Sequence, residues 1–403
     1  MKTLRVVIPA ILLMTAAGFA AGAQAAAPAA PALGQPGSLV EVYGLLDTGL
    51  RISTNDDAFG DSFFGFSQGF FNGSRFGIRG TEGLDGGLKA IYTLEGGVIL
   101  PTGVLDQQGQ IFGRQAWVGL SSDYGTLTFG RQYGTFSDAM GVGDVYGGGG
   151  GNIGNLSTAS ATASKNGSSN YSGTDAVNTF FESETGFRWD QSVKYAANFS
   201  GVTVGAMAML GQPLVNYQYN TMFSGSIGYN SKDFPVVGAA GIQFENDTKS
   251  LHHLDMGIAL KYALDPTDAV YAFYMHSQYD VGFQQINPNN SEFGNAAVAL
   301  GRIDDIASVS ANYYVLPSLN LIGAYFFDYA QNVLASGDNG MRNSFLLTGD
   351  YYFSKDFDMY LSGWVSLFSS ALQNSTNGGD IAASNSNPVS SSLSVMIGAR
   401  YRF

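Results

Sequence analysis

The chain ends in LSVMIGARYRF, Leu393 to Phe403, and the alternation in that stretch decides the fold. Residues two apart on a strand share a face. Leu393, Val395, Ile397, Ala399, Tyr401 and Phe403 therefore lie on one side, with Ser394, Gly398, Arg400 and Arg402 on the other. A strand that is apolar on one face and polar on the other fits a wall between lipid and water. In the stretch Leu88 to Glu95, Leu88, Ala90, Tyr92 and Leu94 likewise oppose Lys89, Thr93 and Glu95, with Ile91 as an exception. VYAFYMHS, Val270 to Ser277, is apolar on both faces and is ambiguous.

From Leu39 onward the pattern gives sixteen candidate strands, beginning near Leu39, Phe70, Gly87, Gln110, Tyr124, Arg188, Gly201, Tyr219, Pro235, His252, Thr267, Arg302, Ser318, Met341, Phe357 and Ser391. Every second connection is short, as at EGLDG (Glu82 to Gly86), Ser122-Asp123, Asp265-Pro266 and Pro317-Ser318. The others are mostly longer, among them Asp280 to Gly301, Ala371 to Ser390 and residues 133–187. Short turns on one rim and longer loops on the other are the arrangement of outer-membrane barrels. An even number of strands leaves both termini on the short-turn rim, and closure removes the edges that lipid could not satisfy. The fold expected is all-β, a 16-stranded antiparallel transmembrane β-barrel. Residues 133–187, rich in Gly, Ser, Asn and Thr, exceed the ~12–15 residues that structureless connections usually reach. They are read as a loop folded into the mouth of the tube. A soluble two-sheet sandwich would also alternate, but aromatics clustered near strand ends (Tyr313-Tyr314, Phe326-Phe327, Tyr351-Tyr352-Phe353) fit interfacial girdles better.

Composition agrees. Only 13% of the residues are charged, against about 25% in ordinary soluble domains, while 54 Gly, 28 Phe and 22 Tyr crowd the 403 positions. Beyond the N-terminus no apolar run approaches the ~18–20 residues of a membrane helix. Residues 1–25 read as a secretory signal, with Lys2 and Arg5 before the apolar Val6 to Phe19 and small residues at Ala23-Gln24-Ala25. Residues 26–37 form a flexible lead-in and 38–403 one barrel domain. Removing Lys2 and Arg5 from the 19 basic residues leaves 17 against 32 acidic ones, a net charge of −15. That charge argues against nucleic-acid binding, which calls for a basic footprint.

Several stretches resemble the general porins of Gram-negative outer membranes, particularly the β-proteobacterial and neisserial branch: VEVYGLLDTGL (Val40 to Leu50), SRFGIRGTEGLDGGLKAIYTLEGG (Ser74 to Gly97), FGRQAWVGL (Phe112 to Leu120), GTLTFGRQY (Gly125 to Tyr133), SVKYAANFSG (Ser192 to Gly201) and the terminal IGARYRF. The resemblance is dense at both ends and mostly architectural between Gly211 and Asn387. It implies a homotrimer whose third external loop folds into the lumen, passing small hydrophilic solutes and ions by passive diffusion. Tyr401 and Phe403 resemble the signal that hands such barrels to the barrel-assembly machinery. Outer-membrane lipid and lipopolysaccharide are the implied surroundings.

In that family the loop sets acidic residues opposite a ladder of basic ones. Parity supplies the basic side here. Phe76 and Ile78 outward put Arg75 and Arg79 inward, Trp117 outward puts Arg114 inward, and Val193 and Tyr195 outward put Lys194 inward. Leu46 and Leu50 outward place Asp47 and Arg51 in the lumen, and Lys89 joins from the third strand. The family's register makes Asp144 the constriction carboxylate, with Asp138 nearer the loop base. Where many relatives carry a further Glu, this chain has Gly147 to Gly151, which weakens cation preference or leaves the loop without a fixed field. Arg131 shares the parity of Leu127 and Phe129, so it needs a partner on the outer face or a bulge that turns it inward; we place it at the subunit interface.

An enzyme finds little support. His252, His253 and His276 are too few and too badly spaced for a metal motif such as HExxH, no G-x-S-x-G elbow occurs, and no cofactor or metal is expected. His252 and His253 point to opposite faces and are read as rim residues. Two alternatives stay open. One is a channel selective for sugar, phosphate or dicarboxylate, with Tyr43, Tyr274 and Tyr146 turned to the lumen. The other is an adhesin or receptor barrel worked by its loops.

Overall fold

The computed structural model describes residues 38–55, 62–145, 188–210, 221–230, 234–247, 250–282, 301–332, 337–374 and 390–403. The expected signal peptide and lead-in (1–37), and residues 146–187 of the long loop, lie outside them. The strands are β1 (Leu39–Thr54), β2 (Phe63–Gln68), β3 (Arg75–Gly83), β4 (Lys89–Ile99), β5 (Val104–Leu105), β6 (Gln115–Ser122), β7 (Gly125–Tyr133), β8 (Arg188–Phe199), β9 (Val202–Met209), β10 (Thr221–Asn230), β11 (Val236–Asn246), β12 (His252–Ala263), β13 (Ala269–Tyr279), β14 (Ile303–Leu316), β15 (Leu319–Gln331), β16 (Gly340–Tyr352), β17 (Phe357–Ser370) and β18 (Ser391–Arg402). Between β7 and β8 lies a short helix, α1 (Thr135–Met140).

Sixteen strands close a ring of antiparallel pairs, β1 to β3, β4, β6 and on through β18, which returns to β1. The two others are short. β5 pairs only with the end of β4, and β2 pairs with the half of β1 that β3 leaves free. β2 and β3 thus follow one barrel strand that is broken at residues 69–74. The expected second strand, starting near Phe70, instead starts at Arg75, and Phe70 and Phe71 are buried inside the barrel. The remaining starts fall at or within a few residues of those expected.

Alternation explains the pairing. Along β18, Leu393, Val395, Ile397 and Tyr401 are exposed, while Ser394, Met396 and Arg400 are buried. On β13, where the sequence is ambiguous, Phe273, Met275 and Ser277 turn inward and Tyr274 turns outward. Tyr229, Tyr262, Tyr313, Tyr351, Phe353, Tyr401 and Phe403, at the short-turn rim, are all exposed, the position of an aromatic girdle. Their neighbours Tyr314 and Tyr352 face the lumen, stacked with ring centroids 6.3 Å apart. No helix among the described residues is long and apolar enough to cross a membrane.

The ring closes where Gly44 donates its N–H to the Phe403 carbonyl at 2.9 Å and accepts the Phe403 N–H at 3.1 Å. A Cβ at position 44 would lie 2.2 Å from the Phe403 ring, so the absence of a side chain there is what admits the terminal aromatic.

Candidate functional site

Two inserted segments narrow the barrel. The first runs Gly134 to Val145. Its helix α1 buries Phe136 and Met140 completely against inward positions of β11 and β12. Glycines make the seat: a Cβ on Gly241 would come 2.9 Å from the Phe136 ring, one on Gly257 2.5 Å from Met140 Sδ, and one on Gly205 3.0 Å from Thr135 Cγ2. Beyond α1 the segment reaches Val145, which packs with Phe70, Phe71 and Ile322. The second insert is the break at residues 69–74. Asp47 holds it, accepting the Asn72 N–H at 2.9 Å on one carboxylate oxygen and the Tyr360 hydroxyl at 2.8 Å on the other. Phe70 stacks on Trp364 (5.1 Å), Phe71 meets Tyr360 edge-on (4.8 Å), and the Arg400 guanidinium lies 4.2 Å over the Phe71 ring.

Two lumen cavities flank these inserts. One, of about 550 Å³, is lined by Tyr43, Arg75, Glu95, Tyr271, Tyr352 and Arg400 among others. The other, of about 580 Å³, lies beside Asp138 and Lys194.

Of the expected basic residues, the structure brings Arg75 and Arg114 together and adds Arg188, which the sequence reading passed over because it closes the long loop and has no settled parity. Arg114 Nε donates to Glu95 at 2.8 Å and its Nη2 to the Tyr133 hydroxyl at 2.8 Å. Arg188 reaches the same hydroxyl at 3.1 Å and lies 4.8 Å over the Tyr133 ring. Tyr43 donates to the second Glu95 oxygen at 3.0 Å. Arg114 is thus neutralised by Glu95, with both side chains almost wholly buried. Arg75, whose Nε donates to the Gly73 carbonyl at 3.0 Å, lines the cavity with no ion pair among the described residues.

The other four stand apart. Arg51 is buried on β1 with its guanidinium 4.5 Å over Phe63. Arg79 is held by Glu41 through two bonds of 2.8 and 3.0 Å. Lys89 begins β4 opposite Gly83 and Ser121, exposed at the short-turn rim; the residue this strand places in the charged web is Glu95. Lys194 is ion-paired with Asp138 and also donates to the Tyr133 carbonyl at 3.0 Å. Asp138 therefore sits beside the basic wall and cancels one of its members. Asp144 is buried at the end of the turn Gly141–Gly143.

Carboxylates gather instead on the opposite side of the ring. Glu245, Asp247, Asp255, Asp304 and Asp328, from β11 through β15, are all buried and inward, against Arg302, Arg342 and His253 on the same wall. Parity applied to these strands would have found them. Nearer the short-turn rim, Arg400 binds Asp350 and Asp358, each at 3.0 Å, and Arg402 binds Asp358 at 2.6 Å.

Two further expectations are corrected, and one of the ways out foreseen for Arg131, a bulge, is found. His253 is fully buried on the wall, and only His252 is a rim residue, paired with Asp280 at 2.8 Å. Tyr274 faces outward and donates to Asp305 at 2.6 Å, because β13 puts Phe273 and Met275 inside. Tyr43 does face the lumen, and Tyr146 lies outside the described residues. Arg131 finds its partner within its own chain: a bulge interrupts the pairing between Gly130 and Gln132, and Arg131 reaches Asp190 at 2.7 Å and the Gly113 carbonyl at 2.6 Å.

The sequence profile described as Gram-negative porin matches residues 11–363. The chain is similar to an outer membrane porin protein of Bordetella pertussis, 34% identical over 335 residues. That alignment covers 79% of this chain and 66% of the relative, just under two thirds of its length. Among solved structures, the anion-selective porin from Comamonas acidovorans superposes with a TM-score of 0.68 at 19% identity, covering 91% of this chain and 100% of that one. The trimer form of OmpT, an outer membrane protein of Vibrio cholerae, gives 0.60 at 17% identity, with 91% and 100% covered.

Proposed function

Because the chain belongs to the Gram-negative porin family, we propose that it forms a water-filled channel through the outer membrane, for passive diffusion of small hydrophilic solutes and ions. The observation that carries this reading is the pair of lumen walls, Arg75, Arg114 and Arg188 on one side and Glu245, Asp255, Asp304 and Asp328 on the other. A sixteen-stranded ring is wide enough for a continuous column of water, so the inserts set what passes. Opposed charges in a low-dielectric cleft focus a transverse field, which aligns dipolar solutes and disfavours apolar ones. Arg75 is the cation whose charge is least cancelled, and it sets anion access in this reading. No chemical step is assigned to the protein. A homotrimer in contact with lipopolysaccharide, assembled through recognition of Tyr401 and Phe403 by the barrel-assembly machinery, belongs to the same proposal.

The test is the reversal potential of the refolded protein in a planar bilayer under a KCl gradient. Removing one unit charge about 4 Å from the ion path, in water-like dielectric, is worth about 1 kcal/mol. Arg75→Ala should therefore raise the cation-to-anion permeability ratio roughly fivefold. A potential indifferent to Arg75 would remove the basic wall from the mechanism, and a silent bilayer would remove the channel itself. A second reading rests on the 550 Å³ cavity, where Tyr43, Tyr271, Tyr314 and Tyr352 with Asn312 and Asn320 offer rings and amides to a sugar. Saturable block of the current by a sugar is its mark.

A further inference from the structure

The loop-rim half of the acidic wall holds a compact polar grid on three neighbouring strands. Register sets Gln243, Asp255 and Ser277 in one row and Glu245, His253 and Tyr279 in the next. All face inward, and Gln243, Glu245, Asp255, His253 and Ser277 are at most 1% exposed. His253 Nδ1 lies 3.3 Å from a Glu245 oxygen, and its Nε2 lies 3.0 Å from Asp255 and 2.9 Å from the Ser277 hydroxyl. The imidazole stacks on Tyr279, ring centroids 3.9 Å apart and nearly parallel.

The serine–histidine–carboxylate order in this grid does not make a nucleophile. A serine gives up its proton only to a free Nε2 lone pair, and here the Asp255 carboxylate faces that same nitrogen. The charge balance asks for something else. Two buried carboxylates and one imidazole carry −1 with the ring protonated and −2 with it neutral, and buried charge without a counter-charge is costly. The Gln243 amide bridges both carboxylates, 3.3 Å from each, without neutralising either. The second Glu245 oxygen is buried and has no hydrogen-bond partner among the described residues.

We propose that Glu245, His253 and Asp255 form a binding site for a divalent transition-metal ion of the zinc class. One nitrogen and one oxygen from each carboxylate already lie within 4.8 Å of one another. Two ligands about 2.1 Å from one tetrahedral ion lie about 3.4 Å apart, so rotation of the side chains that closes the widest separation by up to about 1.4 Å brings the three into range. Imidazole with carboxylates is a donor set for zinc and its neighbours rather than for hard cations, which favour oxygen alone. Glu245 and Asp255 now face opposite ring nitrogens, so the ion takes one of them in place of its proton, and rotation of the side chains brings the far carboxylate, the orphaned Glu245 oxygen included, to the same ion. The site lies close along the same strands to the glycines that seat α1: Glu245 is four residues from Gly241 on β11, and Asp255 two from Gly257 on β12.

Isothermal calorimetry on the refolded full-length protein in detergent, titrated with ZnCl2, tests this directly. The expected result is about one Zn2+ per chain, unaffected by a tenfold excess of MgCl2. His253→Gln and the near-isosteric Asp255→Asn should each weaken binding at least tenfold, while His252→Asn, which alters the exposed imidazole beside Asp280, should leave it unchanged. Heat-modifiable gel mobility confirms that each variant is folded. No zinc binding by the unaltered protein, or binding that survives His253→Gln and disappears with His252→Asn, overturns the assignment. Neither outcome touches the channel reading, which the bilayer recordings judge separately.

Discussion

The two walls of the lumen are charged by different means. On the β3 to β8 side, guanidinium groups share tyrosines: Arg114 and Arg188 converge on the Tyr133 hydroxyl, and Tyr43 braces Glu95 from below. On the β11 to β15 side, carboxylates sit in rows among amides, hydroxyls and one imidazole, with Arg302 paired to Asp304 and Arg342 beside Asp328. The first wall stands at the root of the inserted loop, and the second lies under and beyond it. The described part of the loop, Gly134 to Val145, contributes to this contrast mainly as a spacer. Phe136, Ala139, Met140 and Val145 are buried apolar residues, Thr135, Ser137 and Asp144 are buried with them, and the exposed carboxylate, Asp138, is spent on Lys194. Among the described residues most of the opposed groups stand on strands, whose positions are fixed by the ladder.

The largest effect that would break this comparison is at Arg114. Replacing it by alanine leaves Glu95 buried and unpaired, which costs about 3–5 kcal/mol when one partner of a buried pair is lost. Thermal unfolding in detergent should show a clearly lowered midpoint, and an unchanged midpoint would mean that the web is not a structural unit. Next comes the seat of the helix. Gly257→Leu would drive a side chain into Met140 and toward the Tyr274 carbonyl, and overpacking of this kind costs about 1–3 kcal/mol. The expected outcome is a displaced insert, read as altered single-channel conductance with the barrel still folded. Conductance identical to the parent would place the narrowing elsewhere.

Smaller still is Lys194→Ala, which frees Asp138 to act on ions. The pair is partly exposed, so its loss is worth about 0.2–1 kcal/mol. The sharper readout is a modest rise in cation preference, opposite in cause but equal in sign to that of Arg75→Ala. The least effect belongs to the short turn between β12 and β13. There the Thr267 and Asp268 N–H groups and the Thr267 hydroxyl donate to Asp265 and hold its carboxyl below the usual range. A carboxyl depressed on folding adds stability above its unfolded pKa and loses it as pH falls through the folded one. The turn should loosen only in acid, visible as faster amide exchange at Thr267 and Asp268, and Asp265→Ala should remove that pH dependence.

Much of this was legible in the sequence for a physical reason: a membrane wall forces every strand to separate oil from water, so parity alone places Arg75, Arg114 and Lys194 inside. It fails where the ladder is interrupted. Phe70 and Phe71, adjacent and both aromatic, read as the start of a strand. Their true position depends on Asp47, Tyr360 and Trp364, which lie far along the chain and which no local pattern connects to them. Arg131 read as outward by parity, with a partner or a bulge required to hold it; which of these it has, the bulge beside Gly130 and the carboxylate of Asp190, is likewise invisible to a period of two. The acidic wall was missed for a plainer cause. The resemblance directed attention to the loop, although Glu245, Asp255 and Asp304 obey the same alternation as the arginines.

The seam between β1 and β18 bears on the time course of folding. It joins positions such as Ser53 and Ser394, 341 residues apart, and its final backbone bonds involve the last residue of the chain. Contacts so distant in sequence form late, because the intervening chain must be ordered before they reward its confinement. Until Phe403 arrives over Gly44, the sheet has two raw edges able to pair with any other strand.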